Sequence, residues 1–222
     1  MKKKIALIII TILLVLTLGW LILKTTILIA TPIGFENQEE ERREDVIKQL
    51  KEIRTAERQY KLKYGRFTAD FDSLINFVLE GTIEYDHKKI DENDVDALEA
   101  AKEAWEKQNP GKKFQNIEKR TYSVKDSIFK HLTPAQIKDL RYVPHTKRTV
   151  EFELEAGSIV TESKVAIPVV ECRVLYKKFL DTAEYRQNVI NFIDDLQKKN
   201  KYPGLKFGDM TKGSNEAGNW EE

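Results

Sequence analysis

The chain has 222 residues and a mass of 25.8 kDa, enough for one domain beside an apolar N-terminal stretch, which excludes a large multidomain enzyme. Its charge is nearly balanced, with 37 basic and 36 acidic residues, and residues 31–222 carry a net charge of −3. Because this part has no single-sign basic field that would attract phosphate groups, we predict no nucleic-acid partner. A single cysteine, Cys172, excludes an intramolecular disulfide.

The N-terminal segment predicts a membrane anchor. No charge occurs from Ile5 to Leu23, and nineteen residues of α-helix come close to the ~30 Å hydrocarbon thickness of a bilayer. Three lysines precede the run, and the positive-inside rule keeps them in the cytoplasm. A tryptophan and a lysine at its far end suit the outer interface. We therefore predict a cytoplasmic tail over 1–4 and a transmembrane helix over 5–30, with a cleaved secretory signal as the alternative. The membrane-anchor residues are Lys2, Lys3, Lys4, Trp20 and Lys24.

The next segment predicts a break and then a second helix. Residues 31–35 contain Pro32 and Gly34, which both disfavour helix, so we predict a linker there. Residues 36–64 then repeat apolar side chains at helical spacing and predict an amphipathic stalk helix. We expect partner proteins or further copies of the chain to pack on its interaction face, which consists of Val46, Leu50, Ile53, Glu57, Tyr60 and Tyr64. Glu57 interrupts this face and either reaches water at its edge or forms an ion pair between subunits.

Residues 65–222 predict a small head, which gives the chain an α+β fold with an antiparallel sheet and a C-terminal helix. The tail over 202–222 predicts a loop that either wraps the head or hangs free. The charged helix over 91–111 is a predicted insertion, packed on the head or serving as a partner-binding arm. In chain order, the next predicted elements are a short apolar helix ending at Gly81, a strand from Thr82 to His87, and a strand or irregular segment from Thr121 to Phe129. A helical turn then opens at Thr133-Pro134. Two strands follow, from Thr149 to Leu154 and from Lys164 to Tyr176, joined by a loop beginning at Ala156, and the last predicted element is a helix from Asp181 to Lys199.

No constellation of residues predicts catalysis. The three histidines are far apart and lack the spacing of a zinc motif, and Cys172 lies in a strand where it predicts a core residue. We therefore predict no enzyme activity and no cofactor. A weak calcium candidate lies in the glycine-rich tail, where side chains and carbonyls could surround an ion. Its candidate ligands are Asp209, Asn215 and Glu216.

The junction between the stalk and the head resembles a known architecture. Residues 53–60 read I-R-T-A-E-R-Q-Y, residues 64–68 read Y-G-R-F-T and residues 71–74 read F-D-S-L. This pattern resembles the helix-to-head junction of type IV pilins and type II secretion pseudopilins, and it implies a stalk fastened to a head by aromatic residues. Two features differ from those families: the apolar run contains no acid, and the predicted break at 31–35 interrupts what is one continuous helix in a pilin.

The whole chain, including Y-P-G-L at 202–205 and A-G-N-W-E at 217–221, also resembles a family of membrane-anchored envelope proteins from Bacteroidales-type bacteria. This resemblance implies a Gram-negative inner membrane with the head in the periplasm, and it implies no particular activity. We expect a non-enzymatic, pilin-like structural or assembly subunit of a secretion or envelope complex, with the lipid bilayer and envelope proteins, its own copies included, as partners. The alternative is a membrane-tethered module that binds a ligand or peptidoglycan in the periplasm.

Overall fold

The predicted α+β class is confirmed in a computed structural model that describes residues 2–213 and 215–221, without the side chains of residues 2–3, 5–8 and 26–30. The described residues form two antiparallel sheets, one of two strands and one with the order β3-β4-β5. The elements are α1 Lys2–Tyr64, α2 Phe71–Glu80, β1 Thr82–Lys88, α3 Val95–Gln108, β2 Ile117–Ser123, α4 Val124–Ser127, α5 Pro134–Lys138, a 3₁₀ turn Asp139–Arg141, β3 Glu153–Val160, β4 Ala166–Leu175, α6 Tyr176–Phe179, α7 Arg186–Lys198 and β5 Gly204–Gly208.

The first helix does not break at residues 31–35, so the predicted linker is wrong. Helix α1 runs from Lys2 to Tyr64 with Pro32 inside it. An internal proline costs a helix ~3 kcal/mol, but the next turn packs on the head and offsets that cost. Phe35 is buried, and its ring centroid lies 6.0 Å from those of Tyr185 and Phe192. Gly34 admits the hydroxyl of Tyr185, which would lie 2.7 Å from a Cβ at this position. The glycine therefore marks a close contact with the head and does not end the helix.

The second half of α1 is part of the head. Val46, Leu50, Ile53 and Ala56 are fully buried and belong to the same hydrophobic cluster as the apolar faces of α2, α7, β4 and β5. Side-chain hydrogen bonds reinforce this packing: Gln49 Nε2 lies 2.6–3.0 Å from three carbonyl oxygens at the 3₁₀ turn, to which it donates. These acceptors are Asp139, Leu140 and Tyr142. The predicted boundary between a stalk over 36–64 and a head over 65–222 is thus not a physical division.

The three-stranded sheet corrects two boundaries. Strand β3 includes residues 156–160, which the sequence assigned to a loop, and the turn to β4 lies at 161–165. The small residues are tolerated because each pairs across to β4, Gly157 opposite Val169 for example. The tail contains β5, which pairs with β4 and buries Leu205 and Phe207. Beyond β5 the chain wraps the head, since Gly208 N donates to Ala217 O at 2.9 Å.

Residues 82–123 form a projecting arm. Strands β1 and β2 pair from Thr82 opposite Ser123 to Lys88 opposite Ile117, and α3 lies beyond their far end. No residue of α3 is buried, and the ring of Trp105 contacts Phe114 of the arm itself at 6.3 Å between centroids. The apolar stripe of α3 therefore does not join the core of the head.

Two predicted helix starts have different outcomes. Helix α5 begins at Pro134, as the sequence predicted, and the structure adds a capping box formed by Thr133 and Gln136. Helix α7 begins at Arg186, later than predicted. The carboxylate of Asp181 instead accepts hydrogen bonds from the amides of Ala183 and Glu184. It therefore stabilises a separate turn before the helix.

Candidate functional site

The strongest candidate surface is the apolar segment of α1, residues 9–23. Twelve large hydrophobic side chains in it are each 53–67% exposed. They occupy twelve of the fifteen positions of the segment and therefore surround the helix axis on every side. Monomeric proteins in water rarely expose apolar surface of this extent, which marks contact with a membrane or with other proteins. These residues are Ile9, Ile10, Ile12, Leu13, Leu14, Val15, Leu16, Leu18, Trp20, Leu21, Ile22 and Leu23.

The predicted anchor falls partly outside the described residues, because the side chains of Lys2, Lys3, 5–8 and 26–30 are not described. Among the residues described, no helix has both the length and the apolar content to cross a membrane. Lys4 is exposed, and Lys24 Nζ lies 5.7 Å from the centre of the Trp20 ring. Trp20 and Lys24 therefore form one amphipathic pair near the C-terminal end of the apolar segment.

The predicted interaction face lies inside the head. Val46, Leu50, Ile53 and Glu57 are fully buried by the chain itself, and Tyr60 is partly buried against Phe77 at 5.3 Å between ring centroids. Tyr64, at the end of the helix, is the exposed member. The periodicity correctly marked a buried face, but that face packs on the head and is inaccessible to a partner.

Glu57 differs from both predicted alternatives, since its side chain is fully buried and forms no ion pair with the described residues. Its Oε2 accepts a hydrogen bond from the amide of Thr68 at 3.1 Å, and its buried Oε1 has no hydrogen-bond partner among the described residues. Burial raises the pKa of this carboxyl to about 8, and the Thr68 hydrogen bond opposes that rise. The side chain is therefore mainly neutral at pH 7 and fastens the end of α1 to the turn before α2. Its position within an apolar face was the sequence signal for this burial.

Cys172 is buried in β4, as predicted. Burial raises the pKa of its thiol, and the nearby carboxyl of Glu57 adds to this effect. A neutral, inaccessible thiol is a poor nucleophile. The side chain therefore serves the packing of the head.

The three calcium candidates line one cavity, but they share it with two lysines, Lys61 and Lys212. Glu216 pairs through its two oxygens with Arg58 at 3.1 Å and Lys61 at 3.6 Å. Asp209 Oδ1 accepts from the amide and hydroxyl of Thr211 at 2.7 and 2.6 Å, and the carbonyl of Asn215 accepts from Arg58. No group of three His, Cys, Asp or Glu side chains suited to a metal occurs in the described part of the chain. Asn215 and Glu216 instead attach the C-terminal segment to α1, and Asp209 stabilises a turn within that segment.

The histidines also serve as contacts between parts of the fold. His131 Nε2 lies 3.0 Å from Glu52, and His145 Nε2 lies 2.7 Å from Asp45. Both acids belong to α1 and both histidines to the loops of the head, while His87 is exposed on the arm. These pairs add polar contacts at the surface of the interface between α1 and the head.

Comparisons of the chain with protein-family models, with curated proteins and with solved structures found no match. Its function must therefore be inferred from its own residues.

Proposed function

We propose that the chain is a non-enzymatic protein of the inner membrane with a periplasmic head, and that it acts as a pilin-like structural or assembly subunit of an envelope complex. The observation that carries this proposal is the continuity of α1. One helix contains both the exposed apolar segment and the residues from Val46 to Glu57 that are buried in the core of the head.

The apolar segment supports the membrane part of the proposal. Its large hydrophobic side chains are more than half exposed, and exposed apolar area costs about 25 cal/mol per Å² in water. Lipid removes this cost over the whole circumference of the helix, whereas a groove in a protein covers one side of it. The uncharged run from Ile5 to Leu23, with lysines before and after it, matches the length and flanks of a spanning helix.

The continuous helix supports the structural part of the proposal. Because α1 is unbroken, one helix connects the apolar segment to the head, so contacts made in the membrane constrain where the head lies. This removes one of the two differences from pilins, in which a single helix runs from the membrane into the head. Because Val46, Leu50 and Ile53 are buried by the head, the apolar segment is the largest exposed apolar surface among the described side chains of α1.

Charges placed in the apolar segment are expected to release the protein from the membrane. An arginine at the centre of a spanning helix costs about 2.5–3.5 kcal/mol, so the double variant Leu13→Arg/Leu16→Arg should lose most of its carbonate-resistant membrane fraction. The matched control is Leu62→Arg/Val160→Arg, since both residues are exposed but lie outside the apolar segment. Equal membrane fractions for the two double variants would contradict the anchor.

Cysteine crosslinking tests the subunit role. Single cysteines placed in turn at residues 9–23 and treated with an oxidant or a short thiol crosslinker in native membranes should give adducts that recur every three or four residues, because a packed helix presents one face. Native Cys172 is fully buried and should remain silent. Mass spectrometry then identifies the adducts as copies of the chain or as other envelope proteins. A scan without any protein adduct would reject the subunit proposal.

A further inference from the structure

A cavity of about 500 Å³ opens on the head where α1, the end of α7, β5 and the C-terminal segment meet. The turn from α7 to β5 forms one wall. Asn200 takes a left-handed φ of 54°, and the amide of Lys201 donates to Leu196 O at 2.9 Å, which closes the helix. Gly204 follows, where a Cβ would lie 2.2 Å from the carbonyl oxygen of Val174. This tight turn places Lys201 at the rim of the cavity.

The side chains that line the cavity include three cations and no acid. The cations are Arg43, Lys201 and Lys206, which come from α1, the turn after α7 and β5. Two of them are held by carboxylates outside the lining: Arg43 Nε lies 3.2 Å from Glu39, and Lys206 Nζ lies 2.9 Å from Glu171. Lys201 has no ion-pair partner among the described residues. A cationic surface that converges from three elements suits an anionic group.

Aromatic side chains form another part of the cavity wall. Tyr176, Tyr202 and Trp220 line it together with the three cations. Burial raises the pKa of the Tyr176 phenol to about 12, so this hydroxyl remains protonated and can donate a hydrogen bond. The Trp220 ring is fixed between the Arg54 guanidinium, 5.7 Å from its centre, and Gly218, where a Cβ would approach it to 2.4 Å. These rings form a preorganised surface for an apolar or planar group.

We propose that this cavity binds a small soluble molecule that carries a carboxylate or phosphate group. Arg43, Lys201 and Lys206 hold the anionic group, and the rings of Tyr202 and Trp220 contact the rest of the molecule. This site does not depend on the proposed subunit role, because its walls belong entirely to the head and to the part of α1 that packs on it.

A lipid headgroup carries the same chemistry but cannot reach the cavity if α1 spans the membrane as proposed. Arg43 follows Lys24, the predicted interfacial residue, by nineteen residues of helix, which is roughly 28 Å at 1.5 Å per residue. A soluble anion therefore fits this position, and the comparison of bilayers described below separates the two sources.

The test uses the full-length protein in neutral detergent with ¹⁵N-labelled tryptophan. Three indole signals report on Trp20, Trp105 and Trp220, of which the last lines the cavity. Inorganic phosphate and, separately, citrate are titrated against chloride at constant ionic strength. The Trp220 signal is expected to shift and saturate, while the Trp20 and Trp105 signals stay unchanged. A shift that does not saturate, or an equal shift of all three signals, would overturn the proposal.

The matched variants are Lys201→Glu and Lys198→Glu. Both lysines are exposed and have no ion-pair partner among the residues described, but Lys198 does not line the cavity. Lys201→Glu should weaken binding at least tenfold, and Lys198→Glu should change it less than twofold. Equal weakening would mean that the net charge of the protein, and not the cavity, attracts the anion.

Reconstitution in nanodiscs distinguishes the source of the anion. The Trp220 signal should be the same in phosphatidylcholine and in phosphatidylglycerol discs before phosphate is added. A shift caused by phosphatidylglycerol alone would assign the cavity to a lipid headgroup and overturn the soluble ligand. Retention of the protein in discs of either lipid tests the anchor independently, so the two proposals can fail separately.

Discussion

Replacement of Leu50 by aspartate is expected to unfold the head. Leu50 is fully buried in the second half of α1, so the variant would place a carboxylate without a partner in the core. We expect a loss of at least ~4 kcal/mol, a large part of the ~5–15 kcal/mol that stabilises a typical domain. Leu50→Ala, which removes packing without adding charge, should cost about 2–5 kcal/mol. Urea denaturation of the full-length protein in detergent, followed by circular dichroism, measures both losses.

Leu62→Asp is the matched control for this experiment. Leu62 lies on the same helix and is 71% exposed, so its replacement should change the free energy of unfolding by no more than about 0.5 kcal/mol. The experiment also separates two roles of the face around Leu50. A surface that served only partners would lose its complexes in Leu50→Asp while the head stayed folded. A folded head in this variant would therefore contradict the packing described here.

The stability of the head is expected to fall as the pH rises from about 5 to about 8, because of Glu57. The pKa of this carboxyl rises from 4.5 to about 8 on folding, so the folded state retains a proton that the unfolded chain releases between these values. The unfolded state therefore gains stability with rising pH, at up to ~1.4 kcal/mol per pH unit for this one group. Between pH 5 and pH 7 we expect a loss of about 2 kcal/mol, after which the slope from this group disappears above pH 8.

Glu57→Gln should remove this pH dependence. Glutamine keeps the shape of the side chain and an oxygen that can accept from Thr68, but it has no proton to release. The variant should be more stable than the wild type at pH 8 and similar to it at pH 5. Glu44→Gln, an exposed position on the same helix, serves as the control and should leave the slope unchanged. The reaction of Cys172 with a thiol reagent gives a second readout, since this buried thiol becomes accessible when the head opens.

An unchanged slope in Glu57→Gln would mean that other groups carry the pH dependence. A wild-type stability that stays constant from pH 5 to pH 8 would contradict the burial of an ionisable carboxyl at this position. Either result would leave the packing around Leu50 untouched, because the two predictions depend on different properties of the same helix.

The amino-acid sequence by itself determined the features that depend on neighbouring residues. The uncharged run over 5–23, the apolar periodicity from Val46 to Tyr60 and the Thr133-Pro134 start of a helical turn each identify a local element, because each pattern lies within one continuous segment of the chain. The strand predicted from Thr82 to His87 corresponds to β1, which ends one residue later, and the buried cysteine followed from its neighbours in β4.

Only the tertiary structure decided what each local element contacts. A helical period shows that a face is buried but not whether it packs on a partner or on the head of its own chain. The prediction that partners pack on the interaction face was therefore wrong, because the head covers it. Pro32 and Gly34 disfavour helix locally, yet packing of Phe35 on Tyr185 keeps α1 continuous. The burial of Glu57 and the convergence of Arg43, Lys201 and Lys206 required contacts between residues far apart in the chain. The free energy of such tertiary contacts exceeds the local preference of a residue for helix or strand. The sequence pattern does not show which distant segments of the chain will contact each other.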